Sequence, residues 1–173
     1  MPLILSGDNG VQDNSGALVS GTAVASTSGT AIDFTGIPSW VKRVTVMFSG
    51  VSTNGTSPPQ IQIGAGSVAT TGYLGANSIV GVGTAGANFT SGFGIGVNTA
   101  NWAGTNIAHG NVILTLLSGN IWVVNGVISV SNSAYVYFTA GSLALSGTLD
   151  RIRITTTNGT DTFDAGSINI MYE

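Results

Sequence analysis

Apolar and polar residues alternate with a period of two along most of this chain, and nowhere with the three-and-four spacing of an amphipathic helix. In the segment 41–51 (VKRVTVMFSGV), Val44, Val46 and Phe48 fall on one side, and Arg43, Thr45 and Met47 on the other. The four residues 60–63 (QIQI) place Ile61 and Ile63 inward. Residues 112–117 are apolar on both faces except at Thr115, which predicts a central strand covered on two sides. The run 121–130 (IWVVNGVISV) predicts two four-residue strands joined at Asn125-Gly126 by a type I′ turn. In 134–139 (AYVYFT), Tyr135 and Tyr137 alternate with Val136 and Phe138; in 149–155, Ile152 and Ile154 oppose Arg151 and Arg153. A last strand over 168–172 puts Ile168, Ile170 and Tyr172 on one side, and Asn158-Gly159 supplies the turn before it. About nine or ten such strands, with no helix between them, predict an all-β fold: an antiparallel β-sandwich, jelly-roll-like.

Two stretches depart from this texture. Residues 64–106 are Gly-rich and weakly patterned, which predicts long loops with short strands, where a binding face varies at least cost. Residues 1–30 open with LILSGDNGVQDNSG and continue into a run of small residues, SGTAVASTSGT. That segment reads either as a short N-terminal anchoring, inter-subunit piece or as the first strands of the same sandwich. The first reading divides the chain into an attachment segment, 1–30, and a β-sandwich domain, 31–173.

Composition narrows the chemistry. Four Lys and Arg and seven Asp and Glu are all the full charges in 173 residues, with one His and no Cys, against 26 Gly. Thiolate metal sites and disulfides are excluded. A net charge of −3 and a pI near 4.7 argue against nucleic acid, which calls for clustered cations. No apolar run reaches the ~18 residues of a membrane helix, and MPLILSGDNG lacks the basic start of a signal peptide. With 43% apolar residues the chain folds, and so lightly charged a surface favours burial in an assembly over a free monomer.

Few side chains remain as candidates for chemistry. Asp150, Arg151, Arg153, Asp161 and Asp164 gather near the last two strands, and they read as ion pairs fixing a hairpin, with Arg153 facing Asp161 or Asp164. Paired carboxylates there would also suit glycoside hydrolysis. His109 has no second His and no acid beside it in sequence, so neither a metal site nor a Ser–His pair is read, and no cofactor is expected. Gly92-Phe93-Gly94-Ile95-Gly96 lacks the Lys or distant acid that would make it a phosphate loop. The triplets at Asn54, Asn88 and Asn158 carry no weight as glycosylation sites without an export signal. Among the aromatics, Trp122 reads as core and Trp40 as a cap on the sandwich. Trp102 and Tyr73, in the loop-rich region, are the expected contacts for stacking on a ligand such as a sugar ring.

Two blocks, FTGIPSWVKRVTVMFSGVSTNGTS (34–57) and GTLDRIRITTTNGTDTFDAGSINIMYE (147–173), resemble a domain of tailed-bacteriophage virion proteins, often C-terminal in small tail-fibre-like proteins. The opening LILSGDNGVQDNSG is similar to the LxLxGxxG segment that begins such proteins. The two blocks cover about 50 residues, and the middle of the chain is not part of the resemblance. It implies a homotrimer on the virion exterior that contacts other virion proteins and is not an enzyme. Host attachment as a small tail-fibre-like component is the leading expectation, with the loops of 64–106 meeting a host glycan or the medium. No long shaft separates the opening segment from the domain, which brings in the alternative of a capsid decoration, or cement, protein. A polysaccharide-degrading enzyme using Asp150, Asp161 or Asp164 is the minor alternative.

Overall fold

The computed structural model describes residues 18–81, 83–97 and 102–173, with the backbone of two short strands before them, β1 (Leu5–Ser6) and β2 (Gly10–Val11), which pair with each other. The rest of the opening segment lies outside the described residues. The strands that follow are β3 (Val19–Ser20), β4 (Val24–Ala25), β5 (Ala31–Thr35), β6 (Arg43–Thr53), β7 (Pro59–Ala65), β8 (Ser67–Val68) and β9 (Leu74–Gly81). Next come β10 (Gly83–Asn88), β11 (Phe93–Gly94), β12 (Ala108–Ser118), β13 (Ile121–Val130), β14 (Tyr135–Ala144), β15 (Arg151–Thr156) and β16 (Phe163–Tyr172).

These form an all-β, antiparallel sandwich of unequal layers. A nine-stranded sheet runs β10-β9-β14-β13-β12-β6-β16-β3, with β4 also on β16; a five-stranded sheet runs β11-β7-β15-β5, with β8 on β7. The expected architecture holds at the level of two packed antiparallel sheets. Residues 18–30 supply β3 and β4 at one edge of the large sheet, where Ser26 Oγ donates to Ala165 O at 2.8 Å.

Alternation puts the core between the layers. Val44, Val46 and Phe48 of β6 and Ile168 and Ile170 of β16 face Ile61 and Ile63 of β7 and Ile152 and Ile154 of β15 in one continuous apolar cluster. Each such side chain, fully withdrawn from water, contributes roughly 1.5–3 kcal/mol. These are the inward residues that the period of two predicts.

Two expectations are corrected by the registers. Asn125-Gly126 is not a turn: β13 is one unbroken strand, with Asn125 opposite Ile113 and Ala140, and Gly126 opposite Val112 and Thr139. Gly126 serves close approach instead, since a Cβ there would lie 2.7 Å from Val112 Cγ2. The reversal into β13 is at Gly119-Asn120, where Gly119 takes the left-handed conformation (φ 54°) that favours glycine. Secondly, β12 is central, as predicted, yet among the described residues one face is buried and the other is not: Val112 and Leu114 are buried, Ile113 and Thr115 half-buried, and Leu117 is 65% exposed.

Candidate interaction faces

The residues singled out for ligand contact are in the core. Trp102 is 2% exposed; its Nε1 donates to Thr53 Oγ1 at 3.2 Å and its ring lies 6.0 Å from that of Tyr137. Tyr73 is 1% exposed and meets Phe93 edge-on, with ring centroids 4.8 Å apart. Its hydroxyl accepts from Ile63 N at 2.8 Å and donates to Ala69 O at 3.0 Å. Burial pushes its pKa up to about 12, partly opposed by the Ile63 N–H. Neither ring is available to stack on a ligand, because the loops that carry them fold in between the sheets.

The charged cluster is also divided differently from the expectation. Arg153 forks onto Asp33, with Nε to Oδ1 at 2.7 Å and Nη2 to Oδ2 at 2.8 Å, and not onto Asp161 or Asp164. The reason is topological. β15 lies between β5 and β7 in the small sheet and sets Arg153 directly opposite Asp33, whereas β16 belongs to the other layer. Arg151 pairs with its own neighbour Asp150 at 2.7 Å, which holds the Asp150 carboxyl below its ordinary pKa and raises that of the guanidinium. Asp161 anchors loops: its Oδ2 accepts from Ser57 N at 2.9 Å and its Oδ1 from Asn158 Nδ2 at 2.7 Å. Asp164 accepts from Ser52 Oγ. The carboxylates are thus dispersed among structural partners. His109 Nδ1 accepts from Gly50 N at 3.2 Å.

What the fold does present is two unlike outer faces. The outer side of the nine-stranded sheet is uncharged and largely apolar. Ala76, Ala140, Asn125, Ile113 and Thr45 stand in one row across β9, β14, β13, β12 and β6, and Ser78, Phe138, Val127, Asn111 and Met47 in the next. Leu74 (70%), Val80 (51%), Val127 (47%) and Phe138 (44%) reach solvent. A shallow depression of about 400 Å³ lies among Ala76, Asn125, Val127, Phe138 and Ala140. Across this face, between the Arg43–Glu173 ion pair at 2.6 Å and His109, none of the described residues in these rows is ionisable. A single exposed leucine means little, but a contiguous apolar face marks an interaction site.

The outer side of the five-stranded sheet is polar. Rows Asp33–Arg153–Gln62 and Ala31–Thr155–Gln60 cross β5, β15 and β7, and all of these but Asp33 line a groove of about 270 Å³. Ser91 stands at one side and the Asn158-Gly159 turn at the end. In that turn Asn158 Oδ1 accepts from Thr156 Oγ1 at 2.8 Å and from Thr160 N at 3.0 Å. Gln60 and Gln62 are both buried, under the loop that carries Ser91.

Neither face was singled out from the sequence, although both had a signal. Phe138 takes the opposite parity to the buried Tyr137, and 121–130 is apolar on both sides. In QIQI, the glutamines hold the outward positions of a strand whose isoleucines are core. No family model matches the chain, and neither a curated protein nor a solved structure matches it significantly.

Proposed function

We propose that this chain is a structural component of the exterior of a tailed-bacteriophage particle, working as a homotrimer in a small tail-fibre-like role, with no catalytic activity of its own. The observation that carries the reading is the apolar outer face of the nine-stranded sheet, whose fitting occupant is a second copy of the same chain. Four strands, β9, β14, β13 and β12, at ~4.8 Å spacing and about ten residues of ~3.3 Å each, give a face of roughly 19 by 33 Å. That is about 630 Å², close to the ~800 Å² that each partner of a standard stable interface buries. A face without ions loses little on desolvation, whereas a charged partner would give up its hydration with nothing to pair against. In a closed ring of three, each copy sets one part of this neutral face against a different part of its neighbour's, which meets that condition. The resemblance of 34–57 and 147–173 to virion proteins supplies the setting.

One observation favours the decoration reading over host attachment. Trp102 and Tyr73 are core residues, so the aromatic contacts expected for a receptor are occupied in holding the fold. A cement protein has no need of them.

Native mass spectrometry of the full chain tests the assembly. The wild type is expected to be a trimer, and Val127→Lys with Phe138→Lys, both outward, a folded monomer. A wild-type monomer or dimer at micromolar concentration overturns the proposal. Imaging of an intact particle separates the two locations: many copies across the shell place the chain as cement, few at the tail as a fibre.

A further inference from the structure

The groove on the five-stranded sheet is built from side chains that a simple solvated surface does not need. Gln60 is 3% exposed and Gln62 7%, and a buried primary amide is costly unless both its ends are bonded. Each is bonded at one end. Gln62 Nε2 donates to Ser91 O at 2.8 Å, and Gln60 Oε1 accepts from Ser91 Oγ at 3.1 Å. Among the described residues, neither Gln60 Nε2 nor Gln62 Oε1 has a side-chain partner, and both side chains line the groove. The floor therefore offers a donor and an acceptor two residues apart on one strand face, about 7 Å along β7. Gly92 is part of the same construction: a Cβ there would sit 2.7 Å from Gln60 Cδ, so a larger residue in the covering loop would displace the amide.

Arg153 and Thr155 complete the floor. The guanidinium spends its Nε and one Nη2 hydrogen on Asp33, and its remaining N–H groups are still donors. Thr155 Oγ1 donates to Thr30 O at 2.8 Å and keeps lone pairs to accept. The Arg153–Asp33 pair cancels its own charge, so the groove attracts neither anion nor cation strongly. An apolar guest would leave both amide ends unpaired. What answers a donor and an acceptor spread over about 7 Å of a neutral floor is a guest whose groups both donate and accept at that reach, as hydroxyls on opposite sides of a sugar ring do.

We propose that this groove is a saccharide-binding site for a neutral sugar unit, with Gln60, Gln62, Arg153 and Thr155 as its hydrogen-bonding contacts. It lies on the layer opposite to the apolar face, so it stays open when that face is covered. The proposal goes beyond assembly and does not depend on it. A single shallow site of this kind binds on the order of 1 mM, and several copies on one particle raise the avidity.

Saturation-transfer NMR on the full chain, with glucose, galactose, mannose and N-acetylglucosamine tested separately, reads this directly. At least one sugar is expected to receive saturation and to lose at least tenfold in affinity in Gln62→Leu. Because Gln62 is buried, Ser91→Tyr, which fills the groove from its rim, is the second variant and is expected to abolish the signal with the fold intact by circular dichroism. Absence of transfer to all four sugars at about 50 mM overturns the proposal, as does transfer that survives both variants. Displacement of the sugar by inorganic phosphate also overturns it, since that would mark an anion site. The oligomeric state is read separately by native mass, so failure here and failure of the assembly reading are distinguishable.

Discussion

Replacing Trp102 by alanine separates a core residue from a ligand contact. The ring is 2% exposed, packs 6.0 Å from the Tyr137 ring, and approaches Gly96 so closely that a Cβ there would lie 2.8 Å from Trp102 Cε3. Truncating a large buried aromatic costs about 3–5 kcal/mol. Part of that, about 1 kcal/mol, is the Nε1 bond to Thr53, whose own side chain is fully buried and is left with a lone pair unpaired. Trp102→Phe keeps most of the packing and loses that bond, so about 1–2 kcal/mol is expected for it. A domain of this size is stable by about 5–15 kcal/mol, so the alanine variant still folds at low denaturant. With a urea m-value of about 2 kcal/mol/M, its midpoint falls by about 2 M, and that of the phenylalanine variant by about 0.5–1 M. Equilibrium unfolding by far-ultraviolet circular dichroism measures both. An exposed ligand contact would change stability by less than about 0.5 kcal/mol, so a midpoint shift under about 0.3 M for Trp102→Ala refutes the placement of this ring.

Other perturbations test separate parts of the structure. Asn125→Val, at an exposed mid-strand position, is expected to leave stability unchanged or raise it by up to ~1 kcal/mol, because a branched side chain suits a strand. A type I′ turn there would instead lose at least ~1 kcal/mol from forcing a β-branched residue to positive φ. In a double-mutant cycle on melting curves, Arg153→Ala and Asp33→Ala should couple by ~0.5–1 kcal/mol, the range for a half-exposed ion pair. Arg153→Ala and Asp161→Ala should be additive within ~0.5 kcal/mol; coupling of the second pair and not the first would reverse the assignment. Alkaline pH should destabilise the fold through Tyr73 and Tyr137, each pushed up to about 12 by burial, with Tyr135 adding to the rise at Tyr137. Below pH 10 both states keep the phenolic protons and stability is complete. Between pH 10 and 12 the unfolded chain loses them first, so roughly 2 kcal/mol per tyrosine disappears across that window. A urea midpoint that stays flat from pH 9 to 11.5 would show these hydroxyls to be solvated.

By itself the sequence determined that the chain is all-β, and which residues of the long strands face inward. Alternation is a local property: Val44, Val46 and Phe48, or Ile152 and Ile154, share a face because successive side chains point to opposite sides of any strand. It also determined that little acid–base chemistry is on offer, since that is a matter of counting side chains. Pairing was decided only by the tertiary structure. Whether Asn125-Gly126 bends or runs straight depends on which strands flank it, and Val112 and Thr139, 14 and 13 residues from Gly126, lie beside it and keep it extended. Arg153 finds Asp33 and not the nearer Asp161 because adjacent strands in sequence went to opposite layers. The same holds for exposure. A tryptophan in a Gly-rich loop carries no local mark of which way the loop folds, and burying that ring between two sheets gains far more than leaving it in water. Apolar residues at outward positions are indistinguishable by pattern from covered ones, so the apolar face became visible only when the second layer was seen to lie on the other side.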